Sequence, residues 1–266
     1  MPAKAGKRYK VDKAVERRYR IRGIMKIYGF QKTTLLDYPE HIAATVFTGG
    51  CNFRCPFCQN GSLALEPESQ PLIPVETVLA HLRKRRGILE GVCITGGEPT
   101  LEGDLREFLL RCRELGYLVK LDTNGYRPRV LGRFLREGIL DYVAMDIKAS
   151  PANYGRATGC PNCDMERIGE SIRMLRAGGI PYEFRTTVVK GIHTVEEFEE
   201  IGRWLAGSQA YYLQAYRDSG DILGAKQQVQ GTAISGQMEA FTKEEMEQMA
   251  VLAGKYMDKV ALRGVE

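Results

Sequence analysis

Residues 42–60 read IAATVFTGGCNFRCPFCQN, and this stretch joins an apolar, β-branched run to a loop that carries three cysteines. The run is short and the pair Gly49–Gly50 ends it, a pattern that predicts a buried strand. The loop spaces Cys51, Cys55 and Cys58 as C-x3-C-x2-C. Cysteines this close together cannot staple a fold with disulfides, and such clustering is typical of metal or redox chemistry. The stretch therefore predicts a strand with a reactive centre at its carboxyl end.

Strand-like and helix-like segments alternate about six times along the chain. The predicted strands are Met25–Phe30, Ile42–Thr48, Val92–Thr95, Tyr117–Asp122, Tyr142–Ile147, Tyr182–Val189, Tyr211–Tyr216 and Val260–Arg263. The predicted helices are Val75–Arg86, Leu105–Leu115, Val130–Glu137, Ile168–Ala177, Val195–Leu205 and a last helix that begins at Thr242. This alternation predicts an α/β fold of parallel β/α units with right-handed crossovers.

Residues suited to ligand binding follow four successive core strands of this pattern. Cys51 follows the first, Gly96 the second, Asn124 the third and Lys148 the fourth. The carboxyl ends of parallel strands lie at one edge of a sheet or barrel, where binding sites gather. We therefore expect these residues to share one site.

The three clustered cysteines suit an iron–sulfur cluster. A cubane cluster has four iron corners, so three thiolates leave one iron free to chelate a substrate. A zinc site is the alternative, and it needs a fourth ligand, for which Cys160 and Cys163 offer a second C-x2-C pair. That pair can also be a redox couple or bind a metal shared with a partner, whereas Cys93 and Cys112 read as buried apolar cysteines. The three histidines form no cluster in the sequence.

The segment GGCNFRCPFCQN resembles the signature of radical S-adenosylmethionine (SAM) enzymes. From about Lys26 onward the chain is similar to the glycyl-radical activating enzymes, above all to the longer variant of the activating protein of anaerobic ribonucleoside-triphosphate reductase. The further motifs that carry the likeness are GFQKTTLLDYP, GGEPTL, LDTNG, MDIK and ALRG. The cysteine motif is specific to the superfamily, and the assignment to reductase activation is the narrower inference.

The resemblance implies a partial (β/α)6 TIM-like barrel of the radical SAM type. It also implies a [4Fe–4S] cluster on Cys51, Cys55 and Cys58, reduced by a flavodoxin- or ferredoxin-type donor. Reductive cleavage of SAM would give methionine and a 5′-deoxyadenosyl radical, which takes a hydrogen atom from a glycine of a partner such as anaerobic ribonucleotide reductase. The alternatives are a radical SAM enzyme acting on a small molecule or another peptide, and a zinc- or nucleic-acid-binding module.

The resemblance also assigns the cofactor-binding residues around the cluster. The candidates in the cysteine loop are Phe57, Cys58 and Gln59. The candidates at later strand ends are Gly96, Gly97, Glu98, Asp122, Asn124, Asp146, Lys148, Arg185 and Tyr216.

Different roles are expected within this set. Glu98 and the backbone beside it would bind the methionine ammonium, and Lys148 is a point-charge partner for the cofactor carboxylate. The positions of Asp122 and Asp146 also match a monovalent-cation site of a related activase. An inward Arg185 needs an anion, which is either the cofactor or a neighbouring carboxylate.

Of these assignments, that of Phe57 has alternatives and that of Tyr216 departs from the family pattern. Phe57 either shields the cluster or stacks on adenine, or is a simple packing aromatic. Tyr216 stands where pyruvate formate-lyase activases have a histidine, so this contact departs from the family pattern.

The first residues of the chain differ from the rest in net charge. The chain carries a net charge of +5, and residues 1–23 hold nine Lys/Arg and two acidic residues, so this segment carries +7 and the remainder −2. We expect 1–24 to be a flexible basic tail and 25–266 the core domain. The tail can contact nucleic acid or an acidic partner, but a solvated terminus is the simpler reading. With no apolar run of about 20 residues and no signal-like segment, we expect a cytoplasmic protein without a membrane partner.

Overall fold

The computed structural model describes residues 25–226 and 238–265. The predicted basic tail, residues 1–24, lies outside the described residues. Within them, no helix is long and apolar enough to cross a membrane.

Eight strands form a single sheet in which they follow one another in chain order. They are β1 Ile27–Thr34, β2 Ala43–Thr48, β3 Gly91–Gly96, β4 Leu118–Thr123, β5 Tyr142–Asp146, β6 Tyr182–Val188, β7 Tyr211–Ala215 and β8 Val260–Arg263. The first strand runs antiparallel to β2, and every later neighbouring pair is parallel. The described strands include no pairing of β1 with β8, so the sheet is not closed into a complete barrel. The predicted partial barrel is confirmed.

Helices fill the six crossovers between β2 and β8. They are α1 Gly61–Leu65, α2 Val75–Lys84, α3 Leu105–Glu114, α4 Pro128–Arg136, α5 Tyr154–Thr158, α6 Met165–Ala177, α7 Glu197–Trp204, α8 Leu223–Lys226 and α9 Lys243–Gly254. Short 3-10 turns occur at Pro67–Ser69 and Pro99–Leu101. The capping box predicted at Thr242 is present, since its hydroxyl accepts from Glu245 N (3.2 Å) and Glu245 Oε2 accepts from Thr242 N (2.7 Å).

The two faces of the sheet differ in chemistry because successive side chains of a strand point to opposite sides. On β4, Val119 and Leu121 join the apolar core beneath the helices. The alternate positions, Lys120 and Asp122, are polar although they are largely buried. This face of β4 is therefore polar, and the candidate site lies on the same side of the sheet.

Candidate functional site

A cavity of about 210 Å³ opens at the carboxyl edge of the sheet. The cysteine loop contributes the predicted residues Cys51, Cys55, Phe57, Cys58 and Gln59 to its wall. The ends of β3 to β6 contribute the predicted residues Gly96, Gly97, Glu98, Asp122, Asn124, Asp146, Lys148 and Arg185. The structure thus brings together all but one of the residues expected in one site.

Backbone hydrogen bonds from two other segments fix the shape of the cysteine loop. Arg54 N donates to the Thr158 carbonyl (2.7 Å) at the end of α5. At the start of α8, Leu223 N donates to the Cys58 carbonyl (3.1 Å) and Gly224 N to that of Pro56 (2.8 Å). The positions of the three thiols are therefore set by the barrel and not by the loop alone.

The three thiols form no disulfide, and burial is the largest influence on their pKa values. Burial raises the pKa of Cys51 to about 11, and it also raises the pKa values of Cys55 and Cys58. The Lys148 ammonium opposes the rise at all three, so it is a cation that favours their thiolate forms. A bound metal would complete this compensation, because metal-bound thiols are deprotonated.

The residues present fit a cluster better than a single metal ion. Among the described residues, no three His, Cys, Asp or Glu side chains are grouped to hold one ion. The three thiols instead border a common cavity, as ligands of separate irons would. Beside Cys51, the buried Asn52 Nδ2 has no hydrogen-bond partner in the described structure. Such a donor suits a sulfur acceptor of a cluster.

The Gly96–Gly97 pair allows the loop after β3 to pack against the loop after β2. A Cβ atom at Gly96, where φ is +121°, would lie 2.3 Å from the Thr48 carbonyl oxygen, and one at Gly97 would lie 2.0 Å from that of Gly50. Gly97 N donates to the Thr48 carbonyl (3.0 Å) and Glu98 N to that of Gly50 (2.8 Å). The glycines therefore set the distance between the cysteine loop and β3.

The Glu98 carboxylate is engaged by the chain itself. Its Oε1 accepts from Thr100 N (3.1 Å), Thr100 Oγ1 (2.5 Å) and Thr123 Oγ1 (2.8 Å), and its Oε2 accepts from Asn124 N (2.7 Å). Burial raises the pKa of Glu98, and these hydrogen bonds oppose the rise. Glu98 thus connects the ends of β3 and β4, a role that the sequence did not reveal.

Asn124 extends this connection to the cysteine loop. Its Nδ2 donates to Asn52 Oδ1 (2.9 Å) and lies 3.9 Å from Cys51 Sγ, while its Oδ1 accepts from Tyr126 N (3.0 Å). The strand ends and the thiols consequently form one hydrogen-bonded unit.

Five charged side chains of alternating sign form a chain across the site; Lys120 is buried and the other four are partly buried. The order is Lys120, Asp122, Arg185, Asp146 and Lys148, and each contacts the next. Arg185 points inward and bridges both carboxylates, at 3.2 Å from Asp122 and 2.9 Å from Asp146. Arg185 therefore forms the ion pair with a neighbouring carboxylate that the sequence allowed. Its contact with a cofactor stays a prediction.

The charge chain also holds both carboxylates ionised. For Asp146, burial would raise the pKa, but attraction by Arg185 and Lys148 outweighs it and lowers the pKa to about 2. The pKa of Asp122 is likewise lowered, because Arg185 and Lys120 outweigh burial.

Two aromatic predictions have different outcomes in the structure. Phe57 is buried, borders the cavity and packs edge-on against His193, with 5.9 Å between ring centroids. Tyr216 does not line the cavity, because β7 ends at Ala215 and the chain leaves the sheet before it. Gln214 borders the cavity instead, together with its sheet neighbour Thr187. Period-two alternation from Arg185 indicates Thr187, and Gln214 is found only once the register is known.

The sequence profile of the Radical SAM superfamily matches residues 45–205, which run from β2 through α7. The chain belongs to the radical SAM superfamily. Membership implies a [4Fe–4S] cluster and SAM as cofactors, in agreement with the free thiols that border the cavity.

Two relatives of known sequence show how far the similarity extends. A candidate glycyl-radical enzyme activating enzyme of Methanocaldococcus jannaschii is 27% identical over 245 residues, which cover 90% of this chain and 96% of that protein. A candidate GTP 3′,8-cyclase of Thermococcus kodakarensis is 30% identical over 158 residues, covering 58% of this chain and 50% of that protein.

Solved structures support the fold. Streptococcus suis SuiB, in its complex with the precursor peptide SuiA, superposes with a TM-score of 0.60 at 14% identity. The match covers 83% of this chain but only 48% of SuiB, so this chain spans about half of that protein. Archaeal TYW1 superposes with a TM-score of 0.52 at 17% identity, covering 81% of this chain and 72% of that one. At these identities the likeness shows the fold alone.

Proposed function

We propose that this radical SAM enzyme is an activating enzyme that generates a glycyl radical on a partner protein. One observation carries the proposal: the similarity to the M. jannaschii protein of that name runs almost from end to end of both chains. The match to the cyclase, by contrast, covers half of that enzyme. The partner is a glycyl-radical enzyme, and the resemblance of the motifs points to anaerobic ribonucleotide reductase.

In this proposal Cys51, Cys55 and Cys58 would each bind one iron of the cluster. The burial that raises their thiol pKa values also keeps water from the thiolates, and Lys148 offsets their charge. When bound, the cluster and SAM supply a one-electron reductive cleavage of the sulfonium that yields methionine and a 5′-deoxyadenosyl radical. The fourth iron needs no ligand from the chain, which agrees with a loop that offers three thiols to the cavity.

The remaining residues of the wall would bind and orient SAM. Lys148 is a cation at the cavity and is a candidate for the methionine carboxylate. Phe57 offers an aromatic surface for the adenine, and Gln59, held by a hydrogen bond from its Nε2 to the Arg217 carbonyl (2.8 Å), closes that side. The chain thus binds, orients and excludes water, while the cofactors supply the radical chemistry.

The lateral opening of the barrel gives the partner its route. The described strands leave β1 and β8 unpaired with each other, and in this proposal a loop of the partner would enter between them. A reactive radical must meet its target without release, so the partner glycine would have to reach the cavity itself. A flavodoxin- or ferredoxin-type protein would supply the electron.

The test is anaerobic reconstitution with iron and sulfide, followed by incubation with SAM, a reductant and a candidate glycyl-radical protein. The expected result is a glycyl doublet in the electron paramagnetic resonance spectrum of the partner, together with 5′-deoxyadenosine. A partner variant with alanine in place of the radical glycine is the matched control and should give no doublet.

Two other outcomes would redirect the assignment. Formation of 5′-deoxyadenosine without a doublet on any glycyl-radical protein would favour a small molecule or another peptide as substrate, as the similarity to the cyclase allows. A colourless protein that carries one zinc would overturn the cluster itself.

A further inference from the structure

The two carboxylates at the ends of β4 and β5 are already matched by cations of the chain. Asp122 Oδ1 contacts Lys120 Nζ, and its Oδ2 lies 3.2 Å from Arg185 Nη1. Asp146 Oδ1 lies 2.9 Å from Arg185 Nη2, and its Oδ2 lies 3.0 Å from Lys148 Nζ. Each of the four carboxylate oxygens therefore faces a nitrogen of Lys or Arg.

This arrangement does not fit the monovalent cation that the family resemblance implies for Asp122 and Asp146. Three cations and two anions leave the group with a surplus of one positive charge. A further cation would be repelled by three neighbouring positive charges in a poorly screened interior. It would also have to share a carboxylate oxygen that already faces a Lys or Arg nitrogen.

The unusual member of the group is Lys120. Its side chain is only 1% exposed, and it does not line the cavity. Its ammonium approaches Asp122 along the inner face of the same strand, lies 3.7 Å from Cys93 Sγ and stands 5.9 Å from the centre of the Tyr142 ring. A lysine is rarely buried this completely unless its charge is paired, so this position has a specific partner.

We propose that the Lys120 ammonium is a built-in replacement for a monovalent cation at this site. It neutralises Asp122 from the side opposite the cavity and leaves the other oxygen of that carboxylate to hold Arg185. Arg185 in turn fixes Asp146, which holds Lys148 at the cavity. Lys120 is thus a positioning residue for the SAM-binding wall, and the enzyme needs no added Na⁺ or K⁺.

The charge state of Lys120 agrees with this role. Burial lowers the pKa of Lys120, but the charge and hydrogen bond of Asp122 together with Cys93 outweigh burial and raise the pKa above its usual value, so the ammonium remains charged. Removing it would leave Asp122 with one oxygen unpaired in the interior, which is the situation that a small cation can relieve.

The test compares SAM affinity in buffers whose cation is tetramethylammonium, K⁺, Na⁺ or ammonium, using the reconstituted protein. This part rests on the proposed function, because SAM must bind. For the wild type we expect the same Kd in all four buffers. For Lys120→Met we expect Kd to rise at least about tenfold in tetramethylammonium and to recover when K⁺ or ammonium is added. Lys120→Arg should retain affinity.

Lys190→Met is the matched control, because Lys190 also forms an ion pair, with Glu245 at 2.8 Å, but its partner, unlike Asp122, does not line the cavity. It should bind SAM like the wild type in every buffer. The proposal is overturned if K⁺ or Na⁺ tightens SAM binding by the wild type, a result that requires no variant to fold. It is equally overturned if folded Lys120→Met binds SAM normally, or weakly without rescue by any cation.

A second measurement separates this inference from the proposed function. Broadening of the ²³Na resonance reports cation binding without SAM, and we expect it for Lys120→Met but not for the wild type. If the wild type fails to bind SAM, the proposed function falls and the ²³Na result still decides the role of Lys120. Broadening by the wild type would overturn it.

Discussion

His193 holds the backbone of Lys148 through a hydrogen bond of 2.8 Å between its Nε2 and the Lys148 carbonyl oxygen. Val189 N donates to the other ring nitrogen, Nδ1, at 3.1 Å, so Nδ1 is unprotonated and Nε2 carries the hydrogen. The ring is 4% exposed and also packs against Phe57. One neutral imidazole therefore connects the loop that presents Lys148 with the cysteine loop.

This tautomer makes the fold sensitive to acid. Burial lowers the pKa of His193 in the folded chain below its usual value, which is about 6.5 in the unfolded chain. Between these values the unfolded chain binds the extra proton, so stability is present above pH 6.5 and is lost as the pH falls below it. The loss should reach up to about 1.4 kcal/mol per pH unit.

Urea unfolding of the wild type and of His193→Asn between pH 7.5 and 5.5 measures this loss. Asparagine keeps an acceptor at the δ position for Val189 N and cannot be protonated, so the stability of this variant should fall less with acid. Equal slopes for the two proteins would show that His193 does not titrate on unfolding.

We expect Glu98 to stabilise the fold even when SAM is absent. Its Oε2 accepts from Asn124 N and its Oε1 accepts from three donors. Glu98→Gln would therefore place its NH2 group, itself a donor, against at least one of these donors. We expect the free energy of unfolding to fall by about 1–3 kcal/mol, measured by urea in the absence of SAM. If Glu98 served only the methionine ammonium, SAM binding would weaken with unfolding unchanged. Glu137→Gln is a surface control.

Much of the site could be predicted because its signals are local. A β-branched run followed by Gly-Gly-Cys, or a strand followed by Asn-Gly, marks a strand end, and parallel topology brings strand ends together. The charge chain could not be predicted in the same way. Lys120 and Arg185 lie in strands whose inward face a single sequence does not reveal, and their shared partner Asp122 lies 63 residues from Arg185.

The short helices and the position of Tyr216 also could not be predicted from the sequence alone. α1 and α5 have five residues each, and α8 spans four residues of the described chain, too few for a periodic pattern. Contacts such as Gly61 N to the Asp221 carbonyl (2.9 Å) hold α1 in place. The strand prediction extended β7 by one residue, to Tyr216. Whether the strand ends at Ala215 or at Tyr216 decides whether the Tyr216 side chain belongs to the sheet. Strand propensity alone does not define a strand end to one residue.

The cysteines divide into those that border the cavity and those that do not. Cys55→Ala should lose iron and all formation of 5′-deoxyadenosine while it remains folded. Cys160 and Cys163 lie outside the cavity wall, so a Cys160→Ser/Cys163→Ser double variant should keep the iron content and activity of the wild type. Iron analysis and the absorption spectrum under anaerobic conditions measure both. Loss of iron from the double variant would show that Cys160 and Cys163 bind iron.

Lys148 should distinguish cofactor binding from cluster assembly. Its ammonium lies 3.0 Å from Asp146 and opposes the rise in the pKa values of all three thiols, but it is not itself a metal ligand. Lys148→Met should therefore retain iron while the Kd for SAM rises at least about tenfold, because a partly buried charge partner is lost. Lys148→Arg keeps the charge and should recover part of the affinity. A Lys148→Met protein that binds SAM as the wild type does would remove this residue from the SAM site, and one that loses iron would assign it to cluster assembly.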